Sequence, residues 1–426
     1  MKSKSLMRIA APMVALALVG TACGGGGGQK DTTPTGKSRA TATAPAQSGA
    51  AANVAVADLR SGLTGLLTEH VYLASNATGA ALRGDNAGFQ AYAAALNGPN
   101  NSNSADVVAA VGSVYGPEVE KAFDGLWRSN GHIPAFVAYT QAVAKNDKPG
   151  ADKAVNDLLA YAKTFGTTMN QVNSNLPAAA VEEGIKMHIT TLKSVVDAQK
   201  AGDQAKVYTQ LREAYAHMGD LATTIADATA KKFPDKISGD ANAPAAELGA
   251  GLTSLLREHV LLASSATGAA LRGDNAGFGA AAAALNGPTN SNTADLVSAV
   301  GSVYGPEVEK AFDGLWRSNG HIPAFVAYTQ AVAKNDRAGA DKAVNDLMAY
   351  AKTFGTTMNQ VNSNLPAAAV EEAIVMHATT LKSVVDAQKA KDASKEATDL
   401  RTAVHHMSDT AKVLADATLK KFPEKF

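Results

Sequence analysis

The chain has very little cysteine, no excess of either charge and no long apolar stretch beyond its first residues. Cys23 is the only cysteine among 426 residues, so no disulfide can form within one chain. Lysine plus arginine and aspartate plus glutamate number 39 each, which removes the basic excess typical of nucleic-acid binding. After the N-terminal segment, no apolar run approaches the roughly 18 residues that span a bilayer. We therefore predict no nucleic-acid partner and a body that does not cross the membrane.

Signatures of common enzyme classes are also missing. No glycine-rich phosphate loop follows a strand, and no serine or cysteine stands in a nucleophile elbow. The compact motifs H-E-x-x-H and C-x-x-C do not occur. The sequence does not settle whether the protein is an enzyme, and it favours a role without catalysis.

The first 22 residues are typical of an export signal. Basic residues precede an apolar run, and residues 20–23 read Gly-Thr-Ala-Cys. A cysteine after small residues resembles the lipobox of bacterial lipoproteins, in which Cys23 would be acylated. The alternative is an ordinary signal cleaved nearby, which would leave an unpaired thiol. In both cases we expect export, and with Cys23 acylated the low-complexity residues 23–52 would tether the protein to the extracytoplasmic face of the cell membrane.

The rest of the chain contains an internal repeat. Residues 58–234 align with residues 247–423 without a gap, at a constant shift of 189 positions. We predict repeat 1 at residues 53–237, a polar linker at residues 238–245 and repeat 2 at residues 246–426.

Both repeats are predicted to be all-α. Apolar residues recur at spacings of three and four, alanine is abundant, and alternating β-branched segments are absent. Prolines and glycines mark the helix ends, and Gly202 predicts a tight turn between the last two helices. The helices predicted for repeat 1 are 57–82, 86–96, 104–115, 117–128, 134–145, 150–170, 177–200 and 204–232. The expected architecture is two tandem four-helix-type bundles with extra short helices.

Eight of the nine histidines form two sets of four that coincide under the same shift. In each set an aspartate follows the last histidine by three residues, which places it on the same helix face. The sets are His70, His132, His188, His217 and Asp220 in repeat 1, and His259, His321, His377, His406 and Asp409 in repeat 2. This repetition predicts one histidine site in each repeat.

Helix geometry favours an inward position for two histidines of each set. His188 and His217 lie 14 and 15 residues from Gly202, so both are about 21–22 Å from the turn on antiparallel helices. Both follow apolar stripes and are expected to face each other in the core. His132 is predicted near a helix N-terminus, which disfavours imidazolium. Neutral imidazoles bind zinc, copper or iron, so the sets predict a transition-metal or haem site. The alternative is that they are packed core histidines.

The carboxylates, aromatic residues and tripeptides near the histidines are interpreted mainly as structural features. Glu69 and Glu258 adjoin His70 and His259, but adjacent positions do not share a helix face, so both carboxylates are predicted to be solvated. Glu182 or Glu183 and their counterparts Glu371 or Glu372 could turn inward as bridging ligands. The aromatic residues are predicted to pack in the core, and they are Trp127, Tyr139, Tyr161 and Phe165. The Arg-Gly-Asp tripeptides at 83–85 and 272–274 are interpreted as helix-ending turns.

Two resemblances accompany these patterns. The segment with Leu126-Trp127-Arg128, His132-Ile133 and residues 136–140, followed by residues 211–218, resembles an uncharacterised helical module of exported bacterial proteins. Some members are catalogued beside copper amine oxidase N-terminal-like domains, but the resemblance implies no amine oxidase activity and no established ligand. One histidine on each of several helices is similar to hemerythrin-type or ferritin-like bundles, by analogy of architecture alone.

These patterns support three hypotheses. The first is a lipid-anchored protein of the cell envelope whose bundles bind copper, zinc, iron or haem for binding, storage or redox. The second is a non-catalytic envelope module for partner binding or spacing, with structural histidines. The third is an oxidase or peroxidase-like enzyme with a di-metal centre, which would need carboxylates such as Glu182 or Asp220 beside the imidazoles.

Overall fold

The computed structural model describes residues 54–129, 131–318 and 320–426. Within these ranges, repeat 1 contains a two-residue strand, eight α-helices and one π-helical turn at Gly125–Ser129. The bounds are β1 Val54–Ala55, α1 Val56–Leu82, α2 Asn86–Asn97, α3 Asn103–Tyr115, α4 Pro117–Asp124, α5 His132–Lys145, α6 Lys148–Val172, α7 Ala178–Ala201 and α8 Gln204–Lys232. The predicted export signal, Cys23 and the tether lie outside the described residues.

At the end of repeat 1 and in the linker lies β2 Ile237–Ser238. Repeat 2 has the same order of helices as repeat 1, with a second π-helical turn at Gly314–Ser318. The bounds are α9 Pro244–Arg272, α10 Asn275–Asn286, α11 Asn292–Tyr304, α12 Pro306–Asp313, α13 His321–Lys334, α14 Arg337–Val361, α15 Ala367–Ala390 and α16 Ala393–Lys421. The predicted all-α class and the two repeated halves are confirmed. One feature was not predicted: β1 and β2 form a short parallel pair, in which Val54 lies opposite Ile237.

Local chemistry explains the helix ends. Aspartate side chains cap α2, α6 and α8 by accepting hydrogen bonds from amides three residues later, and these aspartates are Asp85, Asp147 and Asp203. The Arg-Gly-Asp tripeptide at 83–85 is therefore a helix end followed by a cap, as predicted. Gly202 ends α7 at φ 72°, and Lys391 adopts φ 58° at the equivalent place. A side chain in this left-handed region costs roughly 1–2 kcal/mol, so the turn in repeat 2 is the more strained one.

Around the first tryptophan the helix ends differ from prediction. The helix expected at 117–128 stops at Asp124 and continues as the π-helical turn, and α5 begins at His132 instead of residue 134. The wider π-helical turn re-aims the chain before α5. This local departure directs both Trp127 and His132 into the core, where each is less than 5% exposed.

The two repeats share one apolar core. Residues 67–75 of α1 are all buried, as are residues 256–264 of α9, because each helix is surrounded by others. Helix α1 packs against α9, and the other contacts between the repeats are reciprocal, since α2 packs on α16 and α10 packs on α8. Arg60 of α1 donates to the buried Ala241 carbonyl at 2.5 Å and pairs with Glu247 at 2.6 Å. Each central helix is therefore enclosed by elements of both repeats.

None of the helices in the described ranges combines the length and the apolar composition needed to cross a membrane.

Candidate metal centre

Three helices of each repeat bring one histidine each to a common point. In repeat 1 these residues are His70 on α1, His132 at the first position of α5 and His188 on α7, and one ring nitrogen from each lies within 4.8 Å of the others. In repeat 2 the same arrangement joins His259, His321 and His377. All six side chains are at most 4% exposed. We call each group of three a histidine triad.

The nitrogen separations match the spacing of ligands around one ion. The Nε2 atoms of His70 and His132 are 3.2 Å apart, and those of His259 and His321 are 3.1 Å apart. Imidazole nitrogens at about 2.0–2.1 Å from a tetrahedral zinc ion would stand about 3.3 Å from each other. Each triad could hold one ion with small side-chain movements, leaving a fourth position for another ligand.

The glycine before His132 lets the backbone pass close to the π-helical turn, so that His132 reaches the triad. A Cβ atom on Gly131 would lie 2.6 Å from the carbonyl oxygen of Trp127 and 2.7 Å from that of Leu126, so no larger residue fits without a shift of the backbone. Gly320 meets the same restriction in repeat 2. The close approach of the chain to its own π-helical turn thus places the histidine at the start of α5.

Aromatic rings enclose each triad. The Trp127 ring lies 5.2 Å from His70 and 4.9 Å from His132, measured between ring centroids, and Tyr161 lies 5.2 Å from His132. Trp316 and Tyr350 take the same places in repeat 2. The core packing predicted for Trp127, Tyr139, Tyr161 and Phe165 is confirmed, since each is at most 7% exposed.

Burial keeps the triad imidazoles neutral. It lowers the pKa of His70 to about 4 and that of His188 to about 3, in the second case helped by the neighbouring imidazoles His70 and His217. Burial likewise lowers the pKa of His259 to about 4. The pKa values of the other triad members, His132, His321 and His377, are well below the usual range for the same reason. Neutral imidazole is the form that a metal ion requires.

The prediction that Glu69 and Glu258 are solvated is wrong. Glu69 is 1% exposed and Glu258 is 3% exposed, because the central helices α1 and α9 are covered on all sides. The Glu69 carboxylate lies 2.8 Å from Arg401 Nε, 3.2 Å from Arg257 Nη2 and 3.3 Å from His405 Nε2. Burial opposes the ionisation of Glu69, but these neighbours outweigh it and hold its pKa well below the usual range.

Glu258 has a simpler environment. Arg212 Nε lies 3.0 Å from one carboxylate oxygen, and Arg212 Nη2 lies 3.2 Å from the other. Arg212 belongs to repeat 1 and Arg401 to repeat 2, so each glutamate is paired by an arginine from the other repeat. Both arginines also contact an aspartate of the opposite repeat, Asp295 and Asp106 respectively.

An asparagine connects each glutamate to its triad. Asn103 Nδ2 donates to the Leu66 carbonyl at 2.7 Å and to Glu69 at 3.3 Å. Its amide group and the Glu69 charge both favour protonated His70, although burial outweighs them. Asn292 holds the same place in repeat 2, where its Nδ2 donates to the Leu255 carbonyl at 2.8 Å and to Glu258 at 2.9 Å. The order arginine, glutamate, asparagine, histidine is therefore the same in both repeats.

Several buried polar atoms around the repeat 1 triad have no hydrogen-bond partner within the described structure. They include the Nδ1 atoms of all three triad histidines, Oδ1 of Asn103 and the hydroxyl of Tyr161. The repeat 2 triad shows the same set, together with Nε2 of His377. Buried polar atoms are rarely unpaired, so their concentration here is typical of a site that takes a ligand.

The remaining predicted site residues lie outside the triads. His217 Nε2 donates to the Gly184 carbonyl at 2.8 Å, and His406 Nε2 donates to the Ala373 carbonyl at 2.9 Å. Asp220 and Asp409 are exposed. The predicted neighbourhood of α7 and α8 is present, but Met218 occupies the core position beside His217 and is 1% exposed. The structure brings together three members of each predicted set and leaves two apart.

The carboxylates considered as bridging ligands also lie elsewhere. Glu182 and Glu183 pair with Lys186 at 2.7 Å and 2.8 Å and are 26% and 72% exposed. Their counterparts in repeat 2, Glu371 and Glu372, are half-buried and exposed. Within the described residues, each group with metal-ligating geometry consists of three imidazoles alone, so the di-metal carboxylate arrangement has no support.

No family model, no curated protein and no solved structure matches this chain. The resemblances to the exported helical module and to hemerythrin-type or ferritin-like bundles are accordingly not confirmed. The triads are the feature of the described residues that bears most directly on function.

Proposed function

We propose that each repeat binds one transition-metal ion through its histidine triad. The observation that carries this proposal is the convergence of three buried, neutral imidazoles at equivalent points of both repeats. An uncharged set of nitrogen donors suits zinc, copper, cobalt or ferrous iron, whereas calcium and magnesium prefer oxygen ligands. The protein would then serve in metal binding or storage, or in redox if the ion is copper or iron.

The buried asparagine would act behind the first ligand. Histidines that bind metals generally donate their second ring N–H to a nearby acceptor, which fixes the ring. Nδ1 of His70 and Oδ1 of Asn103 are both unpartnered, and the two side chains interact electrostatically. A small rotation that joined these atoms would direct Nε2 of His70 towards the ion.

The same spacing disfavours haem. A haem iron takes protein ligands on its two opposite faces, about 4 Å apart and at most two in number. Three imidazoles that converge with two Nε2 atoms only 3.2 Å apart leave no plane for a porphyrin between them. A single ion is the better occupant.

One observation favours a second candidate, a structural role for the histidines. An Nε2 to Nε2 distance of 3.2 Å also fits a hydrogen bond between two neutral imidazoles. In that case the triads would stabilise the core without metal, and the protein would be a spacer or partner-binding module. Metal analysis separates the two candidates.

The export and lipid anchor expected from residues 1–23 complete the proposal. An acylated Cys23, joined to the helical part by the low-complexity residues 24–52, would hold the two metal sites near the outer face of the cell membrane. The mass of the mature N-terminus and release of the protein from membranes by Cys23→Ser would test this part.

The metal sites are tested with the full chain carrying Cys23→Ser, which removes the thiol as a competing ligand. After exposure to zinc or cobalt and removal of excess ion, we expect two equivalents per chain and a tetrahedral cobalt spectrum. His188→Ala and His377→Ala should each remove one equivalent. The matched control is His217→Ala with His406→Ala, which should retain both.

An empty wild-type protein after challenge with zinc, cobalt, copper and iron would overturn the proposal in favour of structural histidines. Equal loss in the control variant would place the ions outside the triads. The cobalt spectrum of the unmutated triads decides the coordination even if a histidine variant fails to fold.

A further inference from the structure

Beside the repeat 2 triad lies a cavity of about 510 Å³ that opens to solvent. His259 and His321 form one end of its wall, whereas His377 does not line it. Because a water molecule occupies about 30 Å³ of liquid, the cavity has room for a ligand of several heavy atoms. The free side of an ion held by this triad would face the cavity.

The cavity wall carries no formal charge. Its side chains are mainly apolar, the amides of Asn275, Asn286 and Gln330 add neutral polar groups, and no aspartate, glutamate, lysine or arginine lines it. The hydroxyls of two lining threonines are already used, since Thr267 donates to Gln388 at 2.8 Å and Thr329 donates to the Phe325 carbonyl at 2.9 Å. Such a wall offers no counter-charge to a charged molecule, which would lose hydration on entering, whereas a neutral molecule meets apolar and amide groups.

We infer that the metal site of repeat 2 takes a small, uncharged ligand at its fourth coordination position, and that this ligand enters through the apolar cavity. The inference rests on the proposed metal function and adds the class of molecule that reaches the ion. The triad supplies three ligands, the cavity supplies a mainly apolar route, and the aromatic ring of Trp316 closes another side of the triad at 5.1 Å from His259 and 4.7 Å from His321. Sites that keep one open position are those that act on or sense an exogenous molecule.

Carbon monoxide on the copper(I) form is a suitable probe, because it is neutral, small and visible by infrared absorption when bound to the metal. Copper(I) would be supplied as a salt under argon, so no electron transfer is involved. In the full chain carrying Cys23→Ser and His188→Ala, only the repeat 2 site would hold copper. Ala266→Phe places a ring in the cavity while leaving the three ligands unchanged.

We expect Ala266→Phe to keep its copper equivalent and to slow carbon monoxide association after flash photolysis at least about tenfold. Ala77→Phe makes the same substitution at the equivalent position of repeat 1, away from this cavity, and should leave the rate unchanged. Ala270→Leu is a milder block for use if the phenylalanine variant does not fold.

The possible outcomes distinguish the metal site itself from the open coordination position and the route to it. Copper bound with equal association rates in all variants would overturn the route and leave the metal site intact. Copper bound without any carbon monoxide band would overturn the open position. A chain that binds no copper would overturn both the proposed function and this inference.

Discussion

The two repeats have nearly superimposable triads but different surroundings for the glutamate beside them. Glu69 has Arg401, Arg257 and His405 as neighbours, whereas the ionic partner of Glu258 within the described residues is Arg212. The shift of 189 positions places Thr68 opposite Arg257 and Ala216 opposite His405. The copies have therefore retained the possible metal ligands while the charge around them changed. The arrangement of the triad therefore does not depend on how many charged groups surround the neighbouring glutamate.

The largest expected effect concerns what the repeats share. In the metal-free protein, the triad histidines have pKa values depressed below their unfolded value of 6.5, to about 4 for His70 and His259. The unfolded chain therefore binds more protons, and the free energy of unfolding should fall as pH decreases from about 6.5 to 4. Each histidine contributes up to about 1.4 kcal/mol per pH unit. Urea unfolding across this pH range measures the slope.

Controls for the pH effect come from within the chain. His217→Gln with His406→Gln should leave the slope unchanged, since these side chains are outside the triads. His70→Phe and His259→Phe should each reduce it by a similar amount. A stability that stays flat between pH 6.5 and 4.5 would contradict the neutral, buried state of the triads. Bound zinc should hold stability at lower pH, because the ion occupies the nitrogens that protons would take.

The second prediction concerns the arginine that pairs with each buried glutamate, for which the two repeats should differ. Arg212→Ala leaves Glu258 buried without its arginine, which should cost about 3–5 kcal/mol of unfolding free energy. Arg401→Ala leaves Glu69 with Arg257 and His405, so its cost should be smaller, about 1–3 kcal/mol. Denaturant midpoints of the two variants give the comparison.

A matched pair of double variants tests the cause. Glu258→Gln should restore part of the stability lost in Arg212→Ala, because it removes the uncompensated charge. Glu69→Gln should restore less in Arg401→Ala. Equal losses for both arginine variants would show that the additional neighbours of Glu69 do not compensate its charge.

The extent of prediction from sequence differs between the fold and the site. The helices followed from local signals such as aspartate caps, prolines and glycines, and α8 was predicted at the observed bounds 204–232. The repeat shift grouped the three triad histidines of each repeat together with one histidine that lies outside the triad, His217 or His406. Which members converge depends on packing angles between distant helices, and phase along α8 was not precise enough to separate His217 from Met218.

The buried glutamates were missed for a related reason. A residue next to an inward-facing histidine normally faces solvent, but α1 and α9 have no solvent face around the glutamate. One signal was present: between Arg60 and Arg83, Glu69 is the only charged residue. A single charge in an otherwise uncharged helix of this length indicates full burial with a partner. The partner itself, Arg401, is 332 positions away and could not be identified from local patterns.

The third prediction concerns the buried asparagine beside each triad and its effect on metal affinity. Asn103→Ala should lower metal affinity at the repeat 1 site, and Asn292→Ala should do so at the repeat 2 site, each by about 10- to 100-fold. Competitive zinc titration in chains that retain one triad, through His377→Ala or His188→Ala, isolates each site. Each asparagine variant is the control for the other. An affinity change at the distant site, or none at the near site, would contradict the proposed role of asparagine.

The change in stability expected to be smallest concerns the hydrogen bond of the buried indole N–H of each tryptophan. Trp127 Nε1 donates to Ser104 Oγ at 3.1 Å, but Trp316 Nε1 and its neighbour Thr293 Oγ1 have no hydrogen-bond partner within the described structure. Ser104→Ala should therefore cost about 1 kcal/mol or somewhat more, since it leaves a buried indole N–H unpaired. Thr293→Val keeps the side-chain shape and should change stability by less than about 0.5 kcal/mol, because no bond is removed. Urea midpoints at neutral pH would measure both. Comparable losses would mean that Trp316 does form this bond in solution and that the two tryptophan sites are equivalent.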